Sequence, residues 1–241
     1  MRILLIDIET TPHLAWTFDL RNVTIPQDHI VQPSRILCFS AMWYGEEEVE
    51  FWDMRDEDSM YLRLWQLLDE ADAVVHFYGK RFDVPMVKGE LWQRDFYPPA
   101  PFGQIDLWET ARKQFKLASN RLAYISQLVG SSKAKHEGFS LWLRCMEGDE
   151  DAWAQMEEYN KQDVRAMVPV YESFLPWITN HPSYGAHTGK SVCPNCGGHE
   201  FVRQGFRTTR TGRYRRFQCR GCGTWSSGTK REGHTEIVSA A

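Results

Sequence analysis

The chain has 241 residues, enough for one large domain or two unequal ones, and its composition of 42% hydrophobic and 25% charged residues is typical of globular proteins. No apolar run approaches the length of a membrane span and no signal peptide is visible, so we expect a cytoplasmic protein without a membrane partner. The net charge of −4 hides an asymmetry: residues 1–186 hold 18 Lys and Arg against 29 Asp and Glu (−11), whereas residues 187–241 hold 10 against 3 (+7). This split predicts two modules with different roles.

Hydrophobic periodicity predicts strands first, and then strands alternating with helices, which indicates an α/β domain with a mixed β-sheet. The predicted strands cover residues 3–6, 36–44, 48–52, 73–77 and 104–107. The predicted helices cover residues 56–70, 85–94, 121–129, 139–146 and 149–174, and one more follows residue 106. We place this domain at residues 1–178, a linker at 179–190, a cysteine-containing module at 191–230 and a tail at 231–241.

Two carboxylates stand at the end of the first predicted strand. Asp7 and Glu9 are two residues apart, so their side chains would point to the same face. Like charges this close raise each other's pKa unless a cation lies between them, and a divalent metal held by oxygen ligands is the economical explanation. The alternative is a pair of strand-end acids that face solvent.

Three further acids need a structural or a chemical explanation. Asp83 follows a buried strand and a Gly turn, where it could join the first two acids or cap a helix. Asp163 lies four residues after Tyr159 on a predicted helix, so both side chains share one face, which alone would fit a solvated surface. Asp106 is interpreted as the N-cap of the helix that follows it.

Together, the segments Asp7-Ile-Glu9, His76-Phe-Tyr-Gly-Lys-Arg-Phe-Asp83 and Tyr159-Asn-Lys-Gln-Asp163 resemble the three motifs of the DEDD superfamily of 3′–5′ exonucleases. The resemblance covers roughly residues 1–175. It implies a ribonuclease H-like fold, as in polymerase proofreading domains, and the Tyr version of the third motif. The second motif departs from the family pattern, because Tyr78 stands where Asn is frequent.

The resemblance implies two Mg²⁺ or Mn²⁺ ions and release of 5′-mononucleotides from single-stranded or 3′-terminal DNA or RNA. Asp7 would bridge both ions, Glu9 and Asp163 would complete one, and Asp83 would act mostly through water. Tyr159 would orient the attacking water, because a reference pKa of about 10 favours positioning over full base catalysis. Candidate nucleic-acid contacts in this domain are Tyr78, Lys80, Arg81, Lys116, Arg121, Lys133 and Lys135.

Four of the six cysteines form two pairs, Cys193-Pro-Asn-Cys196 and Cys219-Arg-Gly-Cys222, separated by 22 residues. This spacing is typical of a structural Zn²⁺ held by four thiolates, and the Gly after each pair allows a tight turn. Two disulfides are the alternative, which a reducing compartment disfavours. Cys38 and Cys145 have apolar neighbours and are interpreted as core thiols.

Arginines and aromatic residues alternate between the two cysteine pairs, where we predict a β-hairpin with its tip at residues 208–212. This segment resembles zinc ribbons of nucleic-acid enzymes, and Arg with aromatic residues could contact phosphates and stack on bases. A ribbon that docks a protein partner is the alternative. The candidate nucleic-acid contacts here are Arg207, Arg213, Tyr214, Arg215 and Arg216.

The resemblance therefore implies a two-metal 3′–5′ exonuclease, and the charge split predicts that a basic zinc ribbon delivers the substrate. Two alternatives remain open: a structure-selective endonuclease on the same fold, and a non-catalytic nucleic-acid-binding protein. The carboxylates argue against the last, because a binder has no need of a cluster that repels a polyanion.

Overall fold

The computed structural model describes residues 1–19, 21–131 and 138–235. Lys133 and Lys135, two of the candidate phosphate contacts, lie outside these residues. The main sheet has five strands in the order β5-β4-β1-β6-β7. These strands are β1 (Ile3–Thr10), β4 (Ile36–Trp43), β5 (Glu50–Asp53), β6 (Ala73–His76) and β7 (Gly103–Asp106).

The sheet is mixed, as predicted. Strand β1 pairs antiparallel with β4 and parallel with β6, and β6 pairs parallel with β7. The carboxyl ends of β1, β6 and β7 therefore meet at one edge of the sheet. The described part of residues 11–34 contains the short antiparallel pair β2 (Leu14–Ala15) and β3 (Ile30–Gln32), together with a 3-10 helix at Gln27–His29.

Helices cover both faces of the sheet. They are α1 (Glu57–Glu70), α2 (Asp83–Gln93), α3 (Leu107–Gln114), α4 (Leu122–Leu128), α5 (Phe139–Met146) and α6 (Glu150–Phe174). Every predicted helix is present, with ends that differ by a few residues at most. Among the described residues, none of the helices combines the length and the apolar character required to cross a bilayer.

The alternation of side chains along β1 decides which acids face which helix. Leu4, Ile6 and Ile8 pack with α1 and α2, whereas Ile3 and Leu5 pack with α3, α4 and α6. Because side chains two residues apart share a face, the residues at positions 7 and 9 continue the row that faces α6. The period of β1 thus directs both acids toward the long helix.

The cysteine module forms a second sheet in the order β10-β9-β8, built from β8 (Phe201–Thr208), β9 (Gly212–Cys219) and β10 (Trp225–His234). The predicted hairpin is β8–β9, with residues 209–211 at its tip. Strand β10 was not predicted: it pairs with β9 and extends to His234, beyond residue 230, where we expected the ribbon to end.

The segment expected to be a linker is structured and packs on the main domain. It contains the short helix α7 (Tyr184–Thr188), and the Asn180 side chain donates a hydrogen bond of 2.7 Å to the Gln104 carbonyl. Pro182 lies so close to Gly103 that an added Cβ there would be 2.4 Å from the proline ring. The domain boundaries at residues 178 and 190 remain predictions.

Candidate active site

The three predicted acids Asp7, Glu9 and Asp163 come together at the carboxyl half of β1. Each contributes one carboxylate oxygen to a group whose members all lie within 4.8 Å of one another. Asp163 is only 2% exposed, so a solvated helix face is the wrong interpretation of this residue. Like charges in such a partly buried cluster repel each other without a cation, and oxygen ligands suit Mg²⁺ or Mn²⁺. These side chains therefore fit a divalent metal.

Tyr159 faces the same cluster from one turn earlier on α6. Burial raises the pKa of its phenol, and the nearby carboxylates of Glu9, Asp163 and Asp7 raise the pKa further, as does a hydrogen bond with Asp163. Its ring packs edge-on against Trp142 of α5, with centroids 6.0 Å apart. The Tyr159 ring is therefore fixed by packing, with its hydroxyl beside the carboxylates.

Asp83 lies beside the three-carboxylate cluster. Its Oδ1 accepts a hydrogen bond of 3.2 Å from the backbone N–H of Ile8, the residue between the two acids of β1. Burial raises the pKa of Asp83 to about 6, although nearby His76 and this hydrogen bond act in the opposite direction. Asp83 is the first residue of α2, whose N-cap is Phe82 without a side-chain hydrogen bond, so the helix-cap alternative is wrong. Asp83 is not a member of the group of three carboxylates, but its hydrogen bond to Ile8 connects it to that group.

Sequence reasoning missed Asn160, which is completely buried. Its side-chain amide donates a hydrogen bond of 2.7 Å to Oδ2 of Asp7. A carboxylate bound in this way has one oxygen held in a defined orientation. The only sequence signal was its position directly after Tyr159, on a helix whose register was already predicted.

Asp106 caps α3 as predicted, because its side chain accepts hydrogen bonds from the N–H groups of Trp108 and Glu109. It also accepts backbone hydrogen bonds from Tyr78 at 3.0 Å and Lys80 at 3.2 Å. Nδ1 of buried His76 lies 3.5 Å from Asp106 Oδ2. The turn before Asp83 is therefore attached to the start of α3, which the sequence did not predict.

The candidate nucleic-acid contacts of the main domain that the structure describes are exposed, but they differ in environment. Tyr78 is 40% exposed, has a positive φ of 69°, and places its ring edge-on against Trp108 at 4.7 Å. The Lys80 ammonium lies 3.1 Å from the Glu109 carboxylate, which partly neutralises it. Arg81, Lys116 and Arg121 are exposed.

The four module cysteines form a second candidate metal site. Their sulfurs lie within 4.8 Å of one another, and the Cys193–Cys222 and Cys196–Cys219 sulfurs are each 3.6 Å apart. A tetrahedral Zn²⁺ with bonds of about 2.3 Å separates its thiolates by about 3.8 Å, whereas a disulfide requires about 2.0 Å. All four are free thiols, so the disulfide alternative is wrong.

Both cysteine turns have the conformation that the sequence predicted. Gly197 and Gly223 have φ values of 72° and 80°, which favour glycine. Their N–H groups donate to the carbonyls of Cys193 at 2.9 Å and Cys219 at 3.0 Å, so the two turns have the same backbone hydrogen bond. Four cysteines on two such turns, with three short strands, are consistent with a zinc ribbon.

The ribbon arginines are only partly available to a ligand. Arg207, Arg213 and Arg216 are exposed, and Arg216 lies over the Trp225 ring at 5.2 Å. Arg215 is held by Glu232 at 3.0 Å and lies over Phe206 at 4.2 Å, which makes it a weaker candidate than predicted. Tyr214 is partly buried, whereas Trp225, which sequence reasoning did not single out, is 46% exposed.

Two comparisons with known proteins give a match. The family model of the RNase H superfamily matches residues 30–175, a segment that includes Asp83, Tyr159 and Asp163 but begins after β1. The family B DNA polymerase from the hyperthermophilic archaeon Pyrobaculum calidifontis is similar in fold, with a TM-score of 0.55 and 15% sequence identity over 73% of this chain. The match spans 24% of that polymerase, and a search of curated proteins gives no match. The family match covers more than half of the sequence and agrees with the mixed sheet and its flanking helices, and the chain therefore belongs to the RNase H superfamily.

Proposed function

We propose that this protein is a metal-dependent nuclease that removes nucleotides from the 3′ end of a nucleic-acid strand. One observation carries the proposal: Asp7, Glu9 and Asp163 converge within 4.8 Å beside Tyr159, on a fold of the RNase H superfamily. The similarity of fold to a DNA polymerase is consistent with this reading. Release of 5′-mononucleotides would follow from attack of water on the terminal phosphodiester.

The side chains would have different roles. Asp7, Glu9 and Asp163 would hold Mg²⁺ or Mn²⁺. Asp83, which accepts a hydrogen bond from the Ile8 N–H, would contribute through water. Bound divalent ions supply Lewis-acid activation of water and neutralise charge on the phosphate. The Tyr159 hydroxyl, which lies beside the carboxylates, would donate or accept one hydrogen bond that orients the attacking water.

The test is a time course on single-stranded DNA and RNA of one sequence, labelled at the 5′ end, with Mg²⁺, Mn²⁺ or EDTA. We expect a metal-dependent ladder that shortens from the 3′ end. Asp7→Ala should abolish it, and Tyr159→Phe should slow it by about 10²-fold with the metal requirement unchanged. Glu158→Gln is the matched control. Glu158 is exposed on α6 next to Tyr159, and the substitution removes one negative charge, as Asp7→Ala does.

Other outcomes would favour the alternatives. Discrete internal cuts would indicate an endonuclease on the same fold. Tight binding without cleavage by the wild type would indicate a nucleic-acid binder, and Asp7→Ala would then bind at least as well. Activity in Asp7→Ala equal to that of Glu158→Gln would contradict the proposed site itself.

We also propose that the ribbon holds one structural Zn²⁺ and binds the substrate strand. Support comes from charge: residues 1–186 carry −11 and residues 187–241 carry +7. The ribbon contacts the C-terminal end of α6, and Asp163 and Leu175 are 12 residues apart on that helix, about 18 Å along its axis. A strand bound at both places could thus be steered by the ribbon toward the carboxylates.

Variants that replace a charged ribbon side chain with an uncharged one test the role of the ribbon without removing the module. The double variant Arg207→Gln with Arg213→Gln should weaken binding of a single strand and reduce the slope of log Kd against log salt by about 1 to 2. Lys88→Gln on α2, which removes one exposed charge from the main domain, is the control. An unchanged slope in the double variant would favour the alternative of a ribbon that docks a protein.

A further inference from the structure

Two aromatic rings and one guanidinium contact each other at the carboxyl ends of β6 and β7, with Trp108 partly buried between exposed Tyr78 and exposed Arg112. The Tyr78 ring contacts Trp108 edge-on at 4.7 Å, and the Arg112 guanidinium lies 5.1 Å from the centre of the Trp108 ring. Trp108 and Arg112 are four residues apart on α3 and therefore share a face. We call these three side chains the Tyr78–Trp108–Arg112 ladder.

The ladder begins at the sheet edge that carries the acids. Tyr78 follows β6 and Trp108 follows β7, and the carboxyl ends of these strands meet that of β1 at one edge. The same turn leads from Tyr78 to Asp83, whose carboxylate binds the N–H of Ile8. The ladder thus leads away from the cluster, along the first two turns of α3.

The ladder is fixed in place by a buried carboxylate. Asp106 binds the backbone N–H groups of Tyr78 and Trp108, so both aromatic residues are attached to one side chain that is 3% exposed. Tyr78 keeps a positive φ of 69°, a conformation that is costly for a bulky residue unless its surroundings impose it. An aromatic ring held in this way loses little freedom when a ligand stacks on it.

Cations lie next to the rings. Arg112 is exposed, and on the adjacent face of α3 exposed Lys113 borders a cleft of about 170 Å³. The same cleft includes Trp177 and the ion pair of Lys80 with Glu109, so Arg112 and Lys113 are the cations available to a phosphate. Aromatic faces next to cations are the combination that binds single strands, because bases stack on the rings while phosphates contact the cations. A duplex keeps its bases stacked inside and would gain little from these rings.

We propose that the Tyr78–Trp108–Arg112 ladder binds the bases of the single-stranded segment just upstream of the nucleotide being removed. This inference rests on the proposed nuclease function and names its substrate as a strand with at least two unpaired nucleotides behind its 3′ end. Tyr78 and Trp108 contact successive bases, and Arg112 contacts the phosphate between or beyond them. The ladder sets affinity and length preference and takes no part in bond cleavage.

The experiment compares a substrate that reaches the ladder with one that does not. The first is a ten-nucleotide single strand of the sugar type that the wild type cleaves, and the second is the p-nitrophenyl ester of a nucleoside 5′-monophosphate. Trp108→Leu should raise KM for the strand about tenfold or more and leave hydrolysis of the ester unchanged. Trp108→Phe, which retains a ring, should stay within about threefold of the wild type on both substrates.

Abasic substitutions locate the contact along the strand. An abasic site at the second or third position from the 3′ end should weaken wild-type binding, and Trp108→Leu should no longer distinguish it from the intact strand. Trp92→Leu is the control, because Trp92 is 78% exposed on α2 and is not part of the ladder. Arg112→Gln should weaken binding of the strand and lower its salt dependence, with the response to the abasic site retained.

Each outcome decides one question. Equal KM values for Trp108→Leu and Trp92→Leu on the strand would overturn the ladder, and so would an equal loss on strand and ester, which indicates a packing role for Trp108. If the wild type with Mg²⁺ or Mn²⁺ cleaves neither substrate, the nuclease function fails. Fluorescence anisotropy of the labelled strands in Ca²⁺ then decides the ladder by itself, from the same variants and abasic sites.

Discussion

The side-chain amide of Asn160 donates a hydrogen bond of 2.7 Å to Oδ2 of Asp7, which joins the middle of α6 to the carboxyl half of β1. Helix α6 also carries Tyr159 and Asp163, so one helix provides two site residues and orients a third. Groups that orient a metal ligand in this way affect metal affinity and activity although they do not touch the metal.

Asn160→Ala should therefore lower metal affinity or kcat about 10- to 100-fold, with KM for a nucleic-acid strand nearly unchanged. The measurement is a Mn²⁺ titration of activity, compared with a thermal melt of the metal-free protein. A melt that shifts strongly while the activity of the folded fraction stays normal would indicate that Asn160 only supports packing. Asn160→Gln, with the same amide one methylene further out, tests whether placement of the donor matters.

Asp106→Asn should destabilise the protein in a pH-dependent manner. Burial would raise the pKa of Asp106, but the neighbouring His76 side chain and the N–H groups of Glu109 and Tyr78 outweigh burial and lower the pKa. A lowered pKa in the folded state means that the ionised group contributes stability above its unfolded pKa, and that this stability is lost as pH falls through the folded pKa.

The loss of stability in Asp106→Asn should be about 1–2 kcal/mol at pH 7, because buried N–H groups bind a charged acceptor more strongly than a neutral one, and this loss should shrink below about pH 4. Denaturant unfolding at several pH values measures it. Asp149→Asn is a useful comparison, because Asp149 also caps a helix but lies at the start of α6, away from the turn of Tyr78. If the difference in unfolding free energy between the wild type and Asp106→Asn did not change with pH, ionisation of Asp106 would not be its cause.

His181 should make stability fall in mildly acidic solution. Its ring is stacked between Tyr171 and Tyr184, Nδ1 donates to the Pro182 carbonyl at 2.7 Å, and Nε2 accepts from the Tyr171 hydroxyl at 2.8 Å. Burial lowers the pKa of this imidazole, so the folded protein binds its proton less readily than the unfolded chain.

Stability from neutral His181 is thus complete above the unfolded pKa of about 6.5 and is lost as pH falls below it. His181→Gln, which cannot take up a proton, should reduce the fall in Tm between pH 7 and pH 5. His13→Gln is the control, since His13 is exposed and lies far from His181 in the sequence, just before β2. Equal slopes for the two variants would exclude His181 as the cause.

Loss of the Zn²⁺ that we propose for the ribbon should affect the main domain as well as the ribbon. The Asn195 side chain donates to the carbonyls of Leu175 at 2.6 Å and Ile178 at 3.0 Å, just after the end of α6. Thr224, next to the second cysteine turn, also donates to the Leu175 carbonyl, at 3.2 Å. Both donors are placed by the cysteine turns.

Cys219→Ser should therefore lose one equivalent of Zn²⁺ per chain and also lower the Tm of the main domain. Asn195→Ala, with zinc retained, should cost about 1–3 kcal/mol, because buried carbonyls lose their donor. Elemental analysis and thermal melts measure both effects. A main-domain transition that is unaffected by loss of zinc would show that the contacts at Leu175 contribute no stability.

The sequence by itself determined most of the local structure and the composition of both sites. Apolar periods of two and of three to four residues predicted the strands and helices, because each element buries one face. The spacing of Asp7 and Glu9, of Tyr159 and Asp163, and of the four cysteines predicted that each set shares a face or a turn, since local geometry depends only on nearby residues.

Only the tertiary structure decided what depends on contacts between distant segments. Asn160 with Asp7, Asp106 with the turn at Tyr78, and Asn195 with the end of α6 are each pairs from different elements. A single Asn or Asp gives no sequence signal of its partner, because the partner is chosen by packing of the whole chain. The same reason explains strand β10 and the packed linker: their polar sequences lack a strong period, and contacts with β9 and with the main domain hold them in place.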